Sequence, residues 1–388
     1  MTHRARAAAS LACLALAAAC GGPPAPSTGT ATGTSQPLGA PISVPRDTWT
    51  WVPFPDAICA DGSSTGIGLR TSPTGSEDLL VFLDGGGACW DYLTCVVLES
   101  VLVSRRHFGE PDLQARLGDV PGSILDRNTL PPGFAEANLV FVPYCTADVH
   151  GGDRRTTYSD PTGLGPSATF EHRGHANVLA YLKRLGATFP SAGAVVLAGS
   201  SAGGFGAAVN YDAFRAYWPG AHGVLLDDSG PALVGNDVPP QSHALWYSSW
   251  DLGEALDPVC PTCKQDLSAA YTDLALRHPF DRIALLSYTE DAVIRGFYFQ
   301  LPSGPMPPSQ FHAALNRLAT TVLAPIPSAR YFYEDGSLDT PARPATTHTM
   351  LGAIPTHASG TAAAPVPLSA WLAALLTGES PGASVRPP

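Results

Sequence analysis

The sequence predicts an α/β fold with a mostly parallel sheet and helices on both faces. Short, continuous apolar runs recur along the chain, and each is followed by Gly, Asp, Ser or Pro. Runs of this kind are typical of strands that are buried on both faces. Segments with helical spacing of apolar residues lie between the runs, and such alternation indicates a parallel sheet. The runs span residues 79–83, 139–142, 194–198, 223–226 and 283–286.

Spacing and end signals predict the other elements of the core. Residues 175–185 carry apolar side chains three and four positions apart, and residues 202–218 also predict a helix. Residues 331–333 predict a later strand. A terminal helix is expected to have Ser369 as its N-cap and Gly378 just past its end, because hydroxyl side chains favour the first position and glycine the last.

The domain organisation follows from length and from one stretch that breaks the repeated plan. A chain of 388 residues allows two domains or one large domain with long loops, and we predict one domain over residues 47–388. Residues 231–279 do not fit the alternation of strands and helices. This stretch carries Trp246, Trp250 and a CxxC motif, and we interpret it as an insertion or cap over the sheet edge.

The N-terminal residues predict export. Arg4 and Arg6 precede an apolar stretch over residues 7–19, which is too short to span a membrane and ends in small residues before Cys20. The junction is similar to a bacterial lipobox, so residues 1–20 are expected to be a lipoprotein signal peptide with lipidation on Cys20. Ordinary signal cleavage with release to the periplasm or the medium is the alternative. Residues 21–46, rich in Gly, Pro, Ser and Thr, predict a flexible tether.

Charge and composition restrict the classes of partner. The formal net charge is −11 and only 14% of residues are charged, so nothing favours binding to a phosphate backbone. We therefore expect no nucleic-acid partner. No later stretch is apolar enough to cross a bilayer, so membrane association is expected only through a lipid on Cys20. Nothing in the sequence addresses the oligomeric state.

Six cysteines remain after the signal segment, an even number that favours disulfides in an oxidising compartment. The two close pairs suggest local loop closures, and elimination then joins the remaining two, although six cysteines permit fifteen connectivities. A redox or zinc role for the CxxC is the alternative. It is disfavoured because no second CxxC or HxxxH completes a tetrahedral site. The pairs are Cys89 with Cys95, Cys260 with Cys263, and Cys59 with Cys145.

A GxSxG motif over residues 199–203 directly follows one buried strand and directly precedes a helix. This is the context that a nucleophile elbow requires, because small flanking residues permit the tight turn that exposes the serine oxygen. Ser201 is therefore the candidate nucleophile. A glycine-rich packing turn without chemistry is the alternative.

A serine nucleophile needs a base that a carboxylate orients, and the hydrolase order along the chain is Ser, then acid, then His. Asp291 follows the fifth apolar run, and His348 follows the later strand, so these two residues are the candidate acid and base. Asp228, at the end of the fourth run, is the rival acid. His357 is the rival histidine.

A glycine-rich stretch over residues 84–90 follows the first buried strand, where a hydrolase oxyanion loop lies. We expect the amides of Gly87, Ala88 and Ala202 to bind the oxyanion. A phosphate-binding loop is the rival interpretation. It is disfavoured because the chain has no Walker motif and no GxGxxG after this strand.

These motifs occur in a specific order between residues 49 and 376. They are residues 84–90 with Cys95, 142–145, 199–204, 227–230, 288–291, and His348. The set resembles the pectin acetylesterase (Notum-like) family. The resemblance implies an α/β-hydrolase fold and ester hydrolysis by Ser201, Asp291 and His348 without metal or cofactor. Plant and animal members usually have Trp after the three glycines, whereas Ala88 stands here, a form similar to a bacterial branch.

The expected function is a serine carboxylesterase that removes acyl groups in two steps through an acyl-enzyme. Acetyl esters on a polysaccharide such as pectin, or on another small substrate, are the expected substrates by family analogy. Cleavage of longer acyl esters is one alternative, and it needs an apolar pocket. A catalytically silent, glycan-binding surface lipoprotein is another, with Trp90, Trp246 and Trp250 either stacking on sugars or packed in the interior.

Overall fold

The computed structural model describes residues 38–239, 241–299, 304–336, 347–361, 363–378 and 382–387. The expected signal peptide with Cys20, and the tether up to residue 37, lie outside these residues. Within the described ranges, none of the helices combines the length and the apolar character that a membrane crossing requires.

The described residues contain an eight-stranded main sheet, in which six adjacent strands run parallel to one another and the two strands at one side pair antiparallel with their neighbours. The order across this sheet is β1-β2-β4-β3-β7-β8-β9-β10, and β1 and β2 pair antiparallel at one side. The α/β fold and the mostly parallel sheet are therefore confirmed. The strands are β1 Thr50–Ile58, β2 Ser64–Arg70, β3 Leu79–Leu83, β4 Asn138–Val142, β5 Arg154–Ser159, β6 Ser167–His172, β7 Ala194–Ser200, β8 His222–Asp228, β9 Arg282–Tyr288, β10 Ala329–Glu334, β11 Ala358–Thr361 and β12 Ala364–Pro367.

The five apolar runs lie in β3, β4, β7, β8 and β9, and the later strand is β10. Alternate residues of β3 face opposite sides of the sheet, so Leu79, Val81 and Leu83 enter one hydrophobic core while Leu80 and Phe82 enter the other. Each such side chain contributes about 1.5–3 kcal/mol when it leaves water. Two cores on two faces explain why these strands are continuously apolar.

Helices cover both faces of the sheet. The side chains of α4 and α5 pack into the first core, and those of α11 pack into the second. The helices are α1 Glu99–Leu102, α2 Glu110–Arg116, α3 Pro132–Ala135, α4 Gly174–Thr188, α5 Ala202–Arg215, α6 Ser242–Trp250, α7 Gly253–Leu256, α8 Ala269–Arg277, α9 Ala292–Phe297, α10 Pro308–Arg317 and α11 Leu368–Thr377. Short 3-10 turns are Leu117–Asp119, Gly235–Asp237 and Ile354–Thr356, and π-helical turns are Leu93–Val97 and Leu318–Leu323.

The start of the terminal helix differs from the expectation. Ser369 is not the N-cap, because α11 begins at Leu368 and Pro367 occupies the cap position with an extended backbone. The amide of Leu368 donates to the carbonyl of His357 at 2.9 Å, which satisfies one of the free amides of the first turn without a hydroxyl. Gly378 follows the last helical residue, as expected.

Residues 231–279 connect β8 to β9 and contain α6, α7 and α8. Trp246 and Trp250 of α6 are buried, and both pack edge-on against Trp90 with ring centroids 5.6 and 6.4 Å away. The Trp250 indole donates to the carbonyl of Cys89 at 2.7 Å. These three indoles are interior packing and do not form an exposed sugar-stacking surface. The role of the stretch as a cap stays a prediction.

The described residues contain three disulfides, with the expected pairing of Cys59 with Cys145, Cys89 with Cys95, and Cys260 with Cys263. The CxxC is thus a disulfide in this structure. Cys89 and Cys95 also lie close to His172. Both ring nitrogens of His172 have partners, the Thr146 carbonyl and the Tyr158 hydroxyl, each at 2.9 Å, so this group does not form a ligand set.

Candidate active site

Ser201 lies in a strained turn between β7 and α5. Its backbone has φ 58° and ψ −121°, a conformation that costs a non-glycine residue about 1–3 kcal/mol. The turn requires its glycines, because a Cβ at Gly199 would lie 2.0 Å from the Gly203 carbonyl oxygen. A Cβ at Gly203 would lie equally close to the carbonyl oxygen of Leu83. Close packing of these backbones therefore explains the GxSxG spacing.

His348 and Asp291 form a hydrogen-bonded pair. Nδ1 of His348 lies 2.8 Å from Oδ2 of Asp291, which is fully buried. The other carboxylate oxygen, Oδ1, accepts from the amides of Val293 and Ile294 at 3.0 and 2.9 Å and so caps α9. Because an ionised carboxylate only accepts hydrogen bonds, Nδ1 carries the proton and Nε2 is left to act as a base.

Ser201 and His348 line one cavity of about 720 Å³. The glycine-rich residues 84–90 are called the glycine loop below. Residues 84–87 of this loop line the same cavity, together with Arg116 and Phe297. The structure thus brings the candidate nucleophile and base to one concave site, with the candidate acid behind the histidine. Shared lining of one cavity by Ser201 and His348, with Asp291 bonded to the histidine, is compatible with Ser-His-Asp chemistry.

The surroundings of His348 raise its pKa above the ordinary value of 6.5. Burial alone lowers this pKa, but the charge of Asp291 and its hydrogen bond act in the opposite direction, and the charge of Asp228 adds to them. The net shift favours the imidazolium, the form that a general base acquires during the reaction.

Asp228, the rival acid, is buried at the end of β8 and holds the histidine loop by its main chain. Its carboxylate accepts from the amides of Met350 at 2.9 Å and Leu351 at 2.9 Å, and from the Ser200 hydroxyl at 2.7 Å. It makes no hydrogen bond to the His348 ring among the described residues. The geometry therefore favours Asp291 as the partner of the imidazole.

His357, the rival histidine, lies elsewhere. Its Nδ1 is 2.8 Å from Oε2 of Glu334 and 3.2 Å from the Tyr288 hydroxyl. In the described part of the chain it does not line the cavity of Ser201.

The glycine loop differs from the expectation at one oxyanion donor. The amide of Ala88 donates to the Leu102 carbonyl at 3.0 Å, so it does not face the reacting centre in this structure. The Ser104 amide likewise donates to the Gly86 carbonyl at 3.0 Å. These two bonds flank an antiparallel bridge between Gly87 and Val103, in which the amide of Gly87 points to the opposite side.

The amides of Gly86, Gly87 and Ala202 donate to no acceptor within the described residues. Gly86 thus replaces Ala88 beside Gly87 and Ala202 as a candidate oxyanion donor. Gly87 has φ +80°, and a Cβ there would lie 1.8 Å from the Leu102 carbonyl oxygen. The strand-like pairing of this loop with residues 102–104 was not visible in the sequence pattern.

His150 supports the glycine loop and was not predicted from the sequence. This histidine is buried, and burial lowers its pKa to about 4, so the ring is neutral near pH 7. Its Nε2 lies 2.9 Å from the Asp84 carbonyl and acts as a donor to it. The Tyr144 ring packs on the imidazole with centroids 4.7 Å apart. No motif in the sequence marked this position.

Arg116 and two carboxylates form a second feature that the sequence did not indicate. The Arg116 guanidinium contacts Asp84 at 2.6 Å and Asp119 at 2.7 Å. Asp84 is buried and burial raises its pKa, although Arg116 and then Arg105 oppose this. The pair lies at the cavity because both Asp84 and Arg116 line it.

A small apolar cavity of about 50 Å³ lies beyond the glycine loop. Phe297 lines both this cavity and that of Ser201. The other walls of the small apolar cavity include the buried indoles of Trp90, Trp246 and Trp250. The cavity can therefore receive only a small apolar group.

Comparisons with known proteins identify a family for the chain. Residues 51–268 match the family described as Pectinacetylesterase, a range that includes Ser201 but ends before Asp291 and His348. The chain is 31% identical over 160 residues to the palmitoleoyl-protein carboxylesterase NOTUM of Drosophila melanogaster, which covers 40% of this chain and 23% of the relative. It is 26% identical over 194 residues to pectin acetylesterase 11 of Arabidopsis thaliana, with 49% and 46% covered.

The fold is similar to a solved structure of the Wnt deacylase Notum from Drosophila, with a TM-score of 0.53 and 18% identity. That match covers 88% of this chain and 96% of the other. In sequence, the chain spans less than half the length of these curated relatives. The structural likeness confirms the α/β-hydrolase-type fold.

Proposed function

Because the chain belongs to the pectinacetylesterase family, we propose that it is a serine carboxylesterase in which Ser201, His348 and Asp291 hydrolyse acyl esters. The observation that carries the proposal is the hydrogen bond of 2.8 Å between His348 and a buried Asp291, at a cavity that His348 shares with Ser201. The strained backbone of Ser201 supports it, since such strain concentrates at active sites.

The reaction proceeds in two steps. Nε2 of His348 takes the Ser201 proton while the serine oxygen attacks the ester carbonyl carbon. The amides of Gly86, Gly87 and Ala202 bind the negative oxygen that forms, and Asp291 stabilises the imidazolium. The imidazolium then gives its proton to the leaving alcohol. Water attacks the acyl-enzyme with the help of His348 and releases the carboxylic acid.

The acyl group is short in this proposal. The apolar cavity next to the glycine loop has room for an acetyl methyl group, and three indoles line it. Removal of a long palmitoleoyl group, the activity for which the NOTUM relatives are named, would need these indoles to move. Acetyl esters are therefore favoured over longer acyl esters, and acetylated carbohydrate is the substrate class we propose.

Export is part of the proposal. Three disulfides in the described residues fit an oxidising compartment. We propose that residues 1–20 direct export, that Cys20 carries a lipid, and that residues 21–46 tether one catalytic domain over residues 47–388 to a bacterial cell envelope. Metabolic labelling with a fatty acid tests the lipid: wild type should be labelled and Cys20→Ser should not.

The direct test of the activity uses p-nitrophenyl acetate and p-nitrophenyl octanoate. Wild type should hydrolyse the acetate faster, and Ser201→Ala and His348→Ala proteins with unchanged thermal unfolding should lose turnover. Folded wild-type protein without any turnover would contradict the proposal and favour a glycan-binding protein without activity.

A further inference from the structure

A third cavity adjoins that of Ser201 and shares no lining residue with the small apolar cavity. The two adjoining cavities form one cleft. The third cavity has a volume of about 220 Å³ and shares Phe82, Arg116, Thr349 and Gly352 with the cavity of Ser201. Trp49 and Asp119 are among its other walls. The cleft therefore runs from Ser201 past Arg116 to a partly buried indole.

The two sides of Ser201 suit the two halves of an ester. The cavity behind Phe297 holds only a small apolar group, so the acyl group fits there. The alcohol half then occupies the longer side, which leads past Arg116. Apolar walls with a tryptophan and a few hydrogen-bonding side chains suit a sugar ring, which has apolar C–H faces and polar edges.

The charges along this side are already paired. Arg116 is the one Lys or Arg that lines either cavity within the described ranges. Its Nη2 contacts Asp84 at 2.6 Å and its Nη1 contacts Asp119 at 2.7 Å. Arg105 lies near enough to lower the pKa of Asp84, but it lines neither cavity. Its guanidinium lies over the Phe108 ring, 5.2 Å from the ring centroid.

Within the part of the chain that the structure describes, an incoming carboxylate therefore finds no unpaired cation lining these two cavities. It meets instead the side chain of Asp119, which is 67% exposed, and like charges at close range are unfavourable. Sugar hydroxyls are better partners, because they can donate to Asp119 and accept from the N–H groups of Arg116 that its carboxylates do not use.

From these observations we propose that the alcohol side of the cleft binds a neutral saccharide and disfavours polyuronates, with Asp119 as the specificity-determining residue. This inference rests on the esterase function proposed above. It narrows the substrate class to acetyl esters of uncharged sugars.

The test compares acetylated xylo-oligosaccharides with acetylated oligogalacturonates of equal length, with p-nitrophenyl acetate as the reference ester. For wild type at low salt, kcat/KM should be at least about tenfold higher on the neutral substrate. Added salt should narrow this gap in kcat/KM between the two substrates, because salt screens the exposed carboxylate of Asp119. Asp119→Asn should also narrow it, and Asp119→Lys should narrow it further.

The control variant is Asp212→Asn, which removes an acid paired with Arg277 at 2.6 Å. Asp212 lies on α5 ten positions after Ala202, about 15 Å along the helix, so it should not alter the gap. Equal or faster hydrolysis of oligogalacturonate, while p-nitrophenyl acetate is still cleaved, would overturn the inference.

Binding separates this inference from the proposed function. Calorimetry with Ser201→Ala protein should show tighter binding of the neutral oligosaccharide than of the oligogalacturonate, whether or not wild type turns over any ester. Tighter binding of the oligogalacturonate, or no binding of either, would also overturn the inference. Absence of p-nitrophenyl acetate hydrolysis, in contrast, would contradict the esterase function.

Discussion

Asp228 is hydrogen-bonded to Ser201 through its main chain, with its carbonyl oxygen 2.7 Å from the Ser201 amide. Its carboxylate meanwhile binds the main chain of the His348 loop at Met350 and Leu351. One residue therefore connects the nucleophile turn with the loop of the base. Asp228 is a positioning residue in this account, distinct from the acid that contacts the imidazole.

Asp228→Asn should lower kcat by about 10²-fold, because misplacing a catalytic group by about 1 Å can have that effect. The loss of a negative charge near His348 should also move the acid limb of the pH profile to lower pH, since that charge raises the pKa of His348. Steady-state kinetics over pH 5–9 (an approximate range that brackets the histidine pKa) checks both effects.

The matched control is Asp227→Asn, which alters the adjacent buried acid. Asp227 binds the Tyr271 hydroxyl and the Gly230 amide, each at 2.8 Å, and does not contact the His348 loop among the described residues. An equal shift of the acid limb in both variants would contradict the positioning role of Asp228.

Asp291→Asn should lower kcat by roughly 10⁴-fold, because an amide cannot hold the imidazole in its useful tautomer. Asparagine is also a good N-cap, so α9 should keep its start and the free energy of unfolding should change little. Kinetics and thermal unfolding of the same preparation check this separation of chemistry from stability. If Asp228 were the catalytic acid, Asp291→Asn would keep most of its activity.

The kcat/KM of wild type should fall as the pH drops through the pKa of His348. The base must be neutral to accept the Ser201 proton, and the pKa of His348 is raised, so the midpoint of this limb should lie above 6.5. A pH profile with p-nitrophenyl acetate measures the midpoint. A midpoint well below 6.5 would indicate that the ion pair with Asp291 is absent in solution.

Phe297→Ala should raise the ratio of octanoate to acetate hydrolysis by about tenfold or more, since it opens the wall between the main cavity and the small apolar one. Phe280→Ala is the control, because Phe280 is 91% exposed and lines neither cavity in the described part of the chain. An unchanged ratio in Phe297→Ala would place the acyl group elsewhere.

The sequence predicted the parts of the site that depend on local backbone geometry. Gly199 is required by a steric limit within the turn itself, against Gly203, so the elbow was recognisable, whereas Gly203 packs against the distant Leu83. The pairing of Asp291 with His348 was expected from the order of elements along the chain, and the structure brings the two side chains together.

Contacts between distant segments account for what the sequence did not predict. Ala88 was expected to donate to the oxyanion, but its amide pairs with Leu102 across a bridge that no local pattern marks. Arg116 reaches Asp84 over 32 positions and His150 reaches the same residue over 66, and both depend on how loops pack. Ser369 was expected to be the N-cap, but it lies one residue inside α11. The helix begins at Leu368 because the amide of Leu368 donates to the carbonyl of His357.

The central claim is that Ser201 is the activated nucleophile, and labelling with a fluorophosphonate tests it most directly. Ser200 offers a control in the same turn, because its hydroxyl is already hydrogen-bonded to the carboxylate of Asp228. Mass spectrometry should locate the label on Ser201 in wild type; Ser201→Ala should not be labelled, while Ser200→Ala should still be. Folded wild type without label, or persistent labelling of Ser201→Ala, would contradict the account.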